Sequence, residues 1–239
     1  MKIDLEDALA RLEDARFEDL DEAVANALFR VAVAYLERGR HQEALEHLDE
    51  AEYLCRKLEN PDGLAQVELR MAQALLGQGE LAKSEERTRR ALAHFQAKGE
   101  VANQVTALEL LAQVLERQQR TQEAAEALEQ ALEIMEAGQD QVGQVLLVQQ
   151  LVPLYRALGW WDKARAAYVR LGRLADAMGD SERVALALVG LGSCLAELGE
   201  LPRSLEALDQ AREVYLELGQ KKRAAMVVAE MARLRADQA

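Results

Sequence analysis

Aromatic residues, proline and cysteine are all scarce in this chain. Only 4% of its 239 residues are aromatic, and it has three prolines and two cysteines. A core with so few rings must be built largely from Ala and Leu, and so few helix breakers favour an all-α protein. Cys55 and Cys194 lie far apart on apolar helix faces, which excludes a disulfide framework. They predict two buried free thiols and a reducing compartment.

Long apolar runs and a basic leader are also missing. The longest strongly apolar stretch without a charge, Val184 to Ala196, has 13 residues and is too short to span a bilayer. The first residues include acids where a secretory leader needs a basic start and an apolar run. We therefore expect a cytoplasmic protein that has no membrane partner.

Positive charge is in short supply, and the net charge is −13. This balance opposes nucleic-acid binding, which requires a Lys/Arg surface against the phosphates. The charge is also uneven, because residues 1–22 carry a net −6 and residues 220–239 a net +3.

The residue patterns that carry catalysis are not found. His41, His47 and His94 form no spaced ligand set with a Cys or a carboxylate. No Ser or Cys lies in a nucleophile motif, and the isolated glycines form no phosphate-binding loop. We expect no enzyme, no bound metal and no cofactor.

A forty-residue period runs through the chain. Gly39, Gly79, Gly159 and Gly199 fall one period apart with Gln119 in the gap, and a second series comprises Gly99, Gly138, Gly179 and Gly219. Self-similarity at this step predicts stacked supersecondary units, which build an extended binding surface. We interpret the glycines as left-handed residues at helix ends.

Each unit has the pattern of two helices. In the first unit, helix A is predicted from about Ala25 to Arg38 and helix B from about Gln42 to Glu59. The sequence Asn60-Pro61-Asp62-Gly63 is interpreted as the turn that ends the pair. Small residues are predicted where two backbones approach: Ala32, Ala72, Ala112 and Gly192 in helix A, and Ala44, Ala124 and Ala164 in helix B. The large residues Tyr35, Leu75, Leu115, Tyr155 and Leu195 fill the space between them.

The order of these residues resembles the tetratricopeptide repeat (TPR) in its long, forty-residue variety. In the first unit the matching positions are Leu28, Val31, Ala32, Tyr35, Gly39, Ala44, Leu48 and Ala51. The spacing is similar to that of Pins-type adaptors, kinesin light chains and many bacterial regulatory proteins, so a bacterial source is expected. The resemblance implies a single right-handed α-solenoid of about twelve helices. Its parts are an N-terminal capping helix in 1–22, repeats at 25–64, 65–104, 105–144, 145–184 and 185–220, and a C-terminal capping helix in 221–239.

The resemblance also implies that helix A of each repeat lines a concave groove that binds a protein or peptide segment. Helical phase places these residues there: Asn26, Phe29, Arg30, Val33, Gln66, Leu69, Arg70, Gln73, Thr106, Glu109, Gln113, Leu146, Gln149, Gln150, Pro153, Arg156, Leu186, Val189 and Ser193. Leu36, Leu76, Leu110 and Gly190 fall on the same phase. The first two repeats suit an extended segment or an acidic end, and the last two suit an apolar helix face. The alternative is that these residues only face solvent or pack on a neighbouring turn.

Two further residues are candidates for contact with a partner. Pro153 lies in mid-helix, where it leaves the Gln149 carbonyl without its usual donor and predicts a kink that widens the ligand site. The alternative is a kink compensated by packing. Trp160 aligns with charged residues of the other units, which favours an exposed contact residue.

The leading hypothesis is a non-enzymatic adaptor that binds a protein or peptide segment in the groove. One alternative is a scaffold that self-associates head to tail, acidic end against basic end. Another is a regulatory sensor domain that acts on an effector in trans.

Overall fold

The computed structural model describes residues 3–18 and 20–237. These residues form twelve α-helices and no strand. The helices are α1 (Leu5–Phe17), α2 (Asp21–Leu36), α3 (His41–Lys57), α4 (Pro61–Gln78), α5 (Leu81–Lys98), α6 (Val101–Arg117), α7 (Thr121–Ala137), α8 (Gln141–Ala157), α9 (Trp161–Ala177), α10 (Ser181–Glu197), α11 (Leu201–Glu217) and α12 (Lys221–Ala236). The predicted all-α chain of about twelve helices is confirmed, and none of the described helices is long and apolar enough to cross a membrane.

The helix starts repeat at the predicted step of forty residues. Helices of type A (α2, α4, α6, α8, α10 and α12) begin at residues 21, 61, 101, 141, 181 and 221, and helices α3, α5, α7, α9 and α11, of type B, begin twenty residues later. Helices α2, α4, α6, α8 and α10 each begin four residues, about one turn, earlier than predicted. In α4 the reason is that the sequence at 60–63 is a helix start. Asn60 caps α4 by accepting a 2.8 Å hydrogen bond from the Gly63 amide, and Pro61 occupies the first turn, where no amide donor is needed. The interpretation of these residues as a turn was therefore wrong.

The turns between the helices use the left-handed conformation, as predicted for the glycines. Gly39, Gly79, Gly159 and Gly199 have φ between 69° and 81°, and Gln119 adopts φ 64° in the same place. Gly138 was assigned wrongly to the second series. The residue with φ 57° is Gln139, because the position is fixed by the forty-residue step and not by where a glycine falls.

The small residues lie at the predicted helix contacts. Ala32, Ala44, Ala72, Ala124 and Ala164 are fully buried. At the position of Ala44, the second and fifth repeats have serine. Ser84 donates a 2.7 Å hydrogen bond to the Ala72 carbonyl, and Ser204 makes the same bond to Gly192. These two bonds join α5 to α4 and α11 to α10.

The described residues fall into two compact halves, and the division lies within α7, between Ala127 and Leu128. In the N-terminal half, consecutive helices from α1 to α6 pack on each other, and in the C-terminal half the same holds from α8 to α12. Each end helix packs through a short stripe of buried apolar residues. The stripe of α1 comprises Ala8, Leu12 and Ala15, and the stripe of α12 comprises Ala224, Val227 and Met231.

Candidate functional site

The type A helices of the N-terminal half present a mixed polar and apolar surface, which we call the N-terminal A face. Six of its predicted residues are exposed, namely Asn26, Arg30, Gln66, Gln73, Thr106 and Gln113. Phe29, Val33, Arg70 and Glu109 are half-buried, and Leu69 is buried. Leu36, Leu76 and Leu110, which have the same helical phase, are buried as well. The aliphatic residues therefore form the floor of the surface and the polar residues form its rim.

Two clefts collect these residues from neighbouring repeats. The first cleft, of about 50 Å³, lies between the first and second repeats and is lined by Asn26, Phe29 and Gln66 together with residues of the α3–α4 turn. The second cleft, of about 150 Å³, lies between α4 and α6 and is lined by Leu69, Arg70, Gln73, Thr106, Glu109, Leu110 and Gln113. Side chains that are forty residues apart in sequence thus share one surface.

The two arginines of this surface differ in their surroundings. Arg70 donates a 3.2 Å hydrogen bond from Nη1 to Gln73 Oε1, and burial lowers its pKa. Arg30 is exposed and makes no hydrogen bond or ion pair with any described residue. A guanidinium with no internal partner can bind a carboxylate or a backbone carbonyl of a ligand without breaking an existing contact.

The type A helices α8 and α10 present a more apolar surface, the C-terminal A face. Leu146 and Leu186 are about half exposed, and Gln149, Pro153 and Arg156 are exposed. Gln150, Val189 and Ser193 are half-buried, and the Ser193 hydroxyl donates to the Val189 carbonyl at 3.1 Å. Helix α8 continues through Pro153, whose ring points to the exposed side of the helix.

Sequence reasoning missed Tyr168 on this part of the molecule. Gly190, whose helical phase placed it in the groove, is buried because the Tyr168 ring of α9 lies on it. Burial raises the pKa of the Tyr168 hydroxyl, and the Arg156 guanidinium partly offsets this effect. The only sequence signal was the pairing of an unusually large residue in α9 with an unusually small one in α10.

Trp160 is half-buried at the start of α9. Its ring lies 6.2 Å from that of Tyr155, and Lys163 Nζ lies 4.5 Å above it. Lys163 and the Tyr155 hydroxyl both bond Glu129 Oε1, at 2.7 and 2.8 Å. Trp160 therefore covers an ionic network, and only part of its ring is left for a partner.

One set of donor groups was invisible in the sequence. Side-chain ligand atoms of Asp62, His94 and Glu100 lie within 4.8 Å of one another. Asp62 Oδ1 is already shared by His94 Nε2 at 2.8 Å and Lys98 Nζ at 3.2 Å. Three donors of these types could hold a cation, but the Lys98 ammonium occupies the carboxylate that such an ion would use.

The two thiols carry no reactive chemistry in this arrangement. Cys55 and Cys194 are buried and free, as predicted, and burial raises the pKa of each. A raised pKa keeps a thiol protonated and unreactive at neutral pH.

Comparison with known proteins agrees with the repeat architecture. The family model described as Tetratricopeptide repeat matches residues 23–97 and again residues 63–137. No curated protein matches the sequence significantly. Among solved structures, BtubC (BKLC) from P. vanneervenii is similar with a TM-score of 0.70 at 18% identity, covering 90% of this chain and 91% of that one.

Two similar structures contain a bound partner. A Rap protein complexed with Competence and Sporulation Factor has a TM-score of 0.64 at 19% identity, with coverage of 98% of this chain and 70% of that chain. NprR in complex with its cognate peptide NprX has a TM-score of 0.55 at 15% identity, with coverage of 97% and 66%. At these identities the likeness shows the fold alone.

Proposed function

The chain belongs to the tetratricopeptide-repeat proteins, and we propose that it is an adaptor that binds a peptide segment of a partner protein on its N-terminal A face. The observation that carries the proposal is the pair of clefts between successive type A helices. Each cleft has an apolar floor and a polar rim drawn from two repeats. Such a surface suits an extended segment, with side chains in the clefts and polar contacts along its backbone.

Arg30 and Arg70 set the chemistry of this ligand. They are the only two arginines among the predicted positions of this face, and the exposed residues beside them are amides and a threonine. We expect the bound segment to carry a carboxylate, either an acidic side chain or its own C-terminus, opposite these guanidinium groups. Gln73 and Gln113, both exposed, supply donors and acceptors for the ligand backbone.

The bound complexes of the Rap protein and of NprR support this class of function by analogy of fold. In both, a fold similar to this one is found together with a bound partner. The residues proposed here come from this chain alone and are not transferred from those proteins.

A selection from a library of random short peptides tests the proposal. Peptides that bind the wild type are measured by fluorescence anisotropy against the double variant Arg30→Glu, Arg70→Glu. We expect an affinity loss of about a hundredfold, because two charge-assisted contacts become repulsive.

The matched control is Arg56→Glu, Arg89→Glu. It makes the same charge change on exposed arginines of the type B helices α3 and α5. Circular dichroism verifies that both double variants remain helical. If the selected peptides bind the Arg30→Glu, Arg70→Glu variant as tightly as the wild type, the proposal that they bind the N-terminal A face is refuted.

A second candidate function is self-assembly. It is favoured by α12, where Met226 and Val228 are 71% and 48% exposed beside a basic first turn. At the position of Val228, the earlier repeats bury Leu28, Leu108 and Val148 completely or almost so. An acidic helix such as α1 of a second copy would cover this surface. Self-assembly of this kind predicts an oligomer at low salt that dissociates at high salt, which light scattering can measure. A monomer at every salt concentration would rule this candidate out.

A further inference from the structure

The outer surface of α9 differs from that of every other type B helix. At the position of Ala166 the other four helices carry glutamate: Glu46, Glu86, Glu126 and Glu206. Val169 replaces an acid or an arginine, and Arg173 stands where α7 and α11 have Glu133 and Glu213. One helix has therefore lost the acidic surface that its neighbours share.

A cleft of about 550 Å³ lies where these replacements occur. It is an open cleft lined by α9, α10 and α11, and we call it the α9 cleft. Its lining residues are Arg165, Ala166, Val169, Arg170, Arg173, Leu191, Leu195 and Arg203. Four guanidinium groups thus surround an aliphatic patch in a chain whose net charge is −13.

Only part of this positive charge is neutralised internally. Arg165 bonds Glu200 at 3.0 Å, and Arg203 bonds the other oxygen of the same carboxylate. Arg170 bonds Glu136 and also Gln144, the latter at 2.9 Å. The contacts of Arg165 and Arg170 tie α9 to its neighbours.

Arg173 has no such role. It is exposed, and it makes no hydrogen bond or ion pair with any described residue. A cation held only to join helices would be paired, as Arg165 and Arg170 are. Its guanidinium is therefore available to a ligand from outside the chain.

We propose that the α9 cleft binds an acidic segment of a partner protein that carries one large apolar side chain. The apolar side chain packs on Val169, Leu191 and the neighbouring aliphatic carbons. Carboxylates of the same segment bond Arg173 and Arg203, for which a planar guanidinium offers paired donors. This surface belongs to the type B side of the C-terminal half and has no lining residue in common with the clefts of the N-terminal A face.

The test restores the acidic surface that the other repeats carry. Peptides are selected from a random library on the wild type, and the double variant Ala166→Glu, Arg173→Glu is kept for the affinity measurement. Since α7 and α11 already carry glutamate at both positions, this variant is expected to fold. We expect the recovered peptides to be rich in Asp and Glu around a Leu, Phe or Trp.

One recovered peptide is then labelled, and its affinity is measured by anisotropy. The double variant should bind it at least about tenfold more weakly, as the loss of a charge-assisted contact gives. The control Ala82→Glu, Arg89→Glu makes the same charge change on α5 and should leave the affinity within about twofold, because neither residue lines the α9 cleft. The Arg30→Glu, Arg70→Glu variant should also leave it unchanged, which separates this site from the proposed groove.

Three results would overturn the inference. They are the recovery of no peptide, peptides without enrichment in acids, and peptides that bind Ala166→Glu, Arg173→Glu as tightly as the wild type.

Discussion

The ring of Tyr168 lies against the bare backbone of Gly190, and a Cβ added at Gly190 would come within 2.0 Å of Tyr168 Cε1. In the other repeats the position of Tyr168 holds Leu48, Thr88, Leu128 or Leu208. The contact thus joins a residue that is large for its position to one that has no side chain at all. It fixes α9 against α10 beside the C-terminal A face.

This contact predicts a reversal of sign in a double-mutant cycle. Gly190→Ala should lower the free energy of unfolding of the wild type by about 1–3 kcal/mol, because the core there is overpacked. In a Tyr168→Leu background the same change should raise it by up to about 1 kcal/mol, since Ala is the better helix former. Urea unfolding of the four proteins measures both effects. Equal effects in the two backgrounds would show that the ring does not press on position 190.

Pro153 predicts a stabilising substitution. It removes a backbone donor within α8, so Pro153→Ala should raise the free energy of unfolding by up to about 3 kcal/mol. Pro61 lies in the first turn of α4, where proline is favourable, so Pro61→Ala is the matched control and should give no gain. If the proline also shapes the C-terminal A face, Pro153→Ala alters the affinity of ligands that bind there. A more stable variant with unchanged affinity would leave Pro153 without a role in binding.

Replacing Glu68 by leucine is predicted to raise the stability of the protein by an amount that depends on pH. It is buried, with Oε1 3.3 Å from Arg90 and 4.0 Å from Arg87, and burial raises its pKa above the ordinary 4.5. A raised folded-state pKa contributes stability that is fully present below 4.5 and is lost as pH rises through the folded value. Glu68→Leu, which copies the Leu28 and Leu108 of neighbouring repeats, should therefore be more stable at pH 7, by about 1 kcal/mol or more.

The gain from Glu68→Leu should shrink at pH 4, where the wild-type carboxyl is protonated. Both arginines keep other partners, Glu52 for Arg87 and Glu86 for Arg90, so the variant leaves no isolated buried cation. Thermal unfolding at both pH values checks this account, and a variant that is less stable at pH 7 would contradict it.

Replacing the two glutamines that adopt the left-handed conformation by glycine is also predicted to raise the free energy of unfolding. Gln119 and Gln139 adopt φ of 64° and 57°, which costs an ordinary residue about 1 kcal/mol. Gln119→Gly and Gln139→Gly should each raise the free energy of unfolding by up to that amount. The reciprocal change Gly79→Gln places a side chain at φ 81° and should lower it. A loss of stability in all three variants would show that the strain at these turns is small.

The forty-residue period was sufficient to predict the helix pairs and the small residues buried at their contacts. The prediction failed where the same residues are compatible with two different local structures. Gly138 suggested a left-handed turn, but the helix register assigned that conformation to Gln139. Asn and Pro are favoured both in turns and at helix starts, and only the bond from the Gly63 amide to Asn60 distinguishes the two here.

The candidate sites were less accessible from the sequence. Helical phase identified the N-terminal A face, because exposed positions follow from periodicity alone. The α9 cleft is formed by residues of three helices, α9, α10 and α11, with Leu191 of α10 among its lining residues. The spacing between these helices cannot be predicted from a local sequence pattern. The contact between Tyr168 and Gly190 likewise joins side chains of different helices whose sizes compensate each other.

The central claim is that a peptide lies across the N-terminal A face. Photo-crosslinking tests it most directly, with a photoreactive residue placed at Gln73 in one protein and at Glu86 in another. Gln73 lines the cleft between α4 and α6, whereas Glu86 is an exposed residue of the type B helix α5. A library-selected peptide should crosslink to position 73 and not to position 86. Crosslinking at position 86 alone, or equally at both, would contradict the claim.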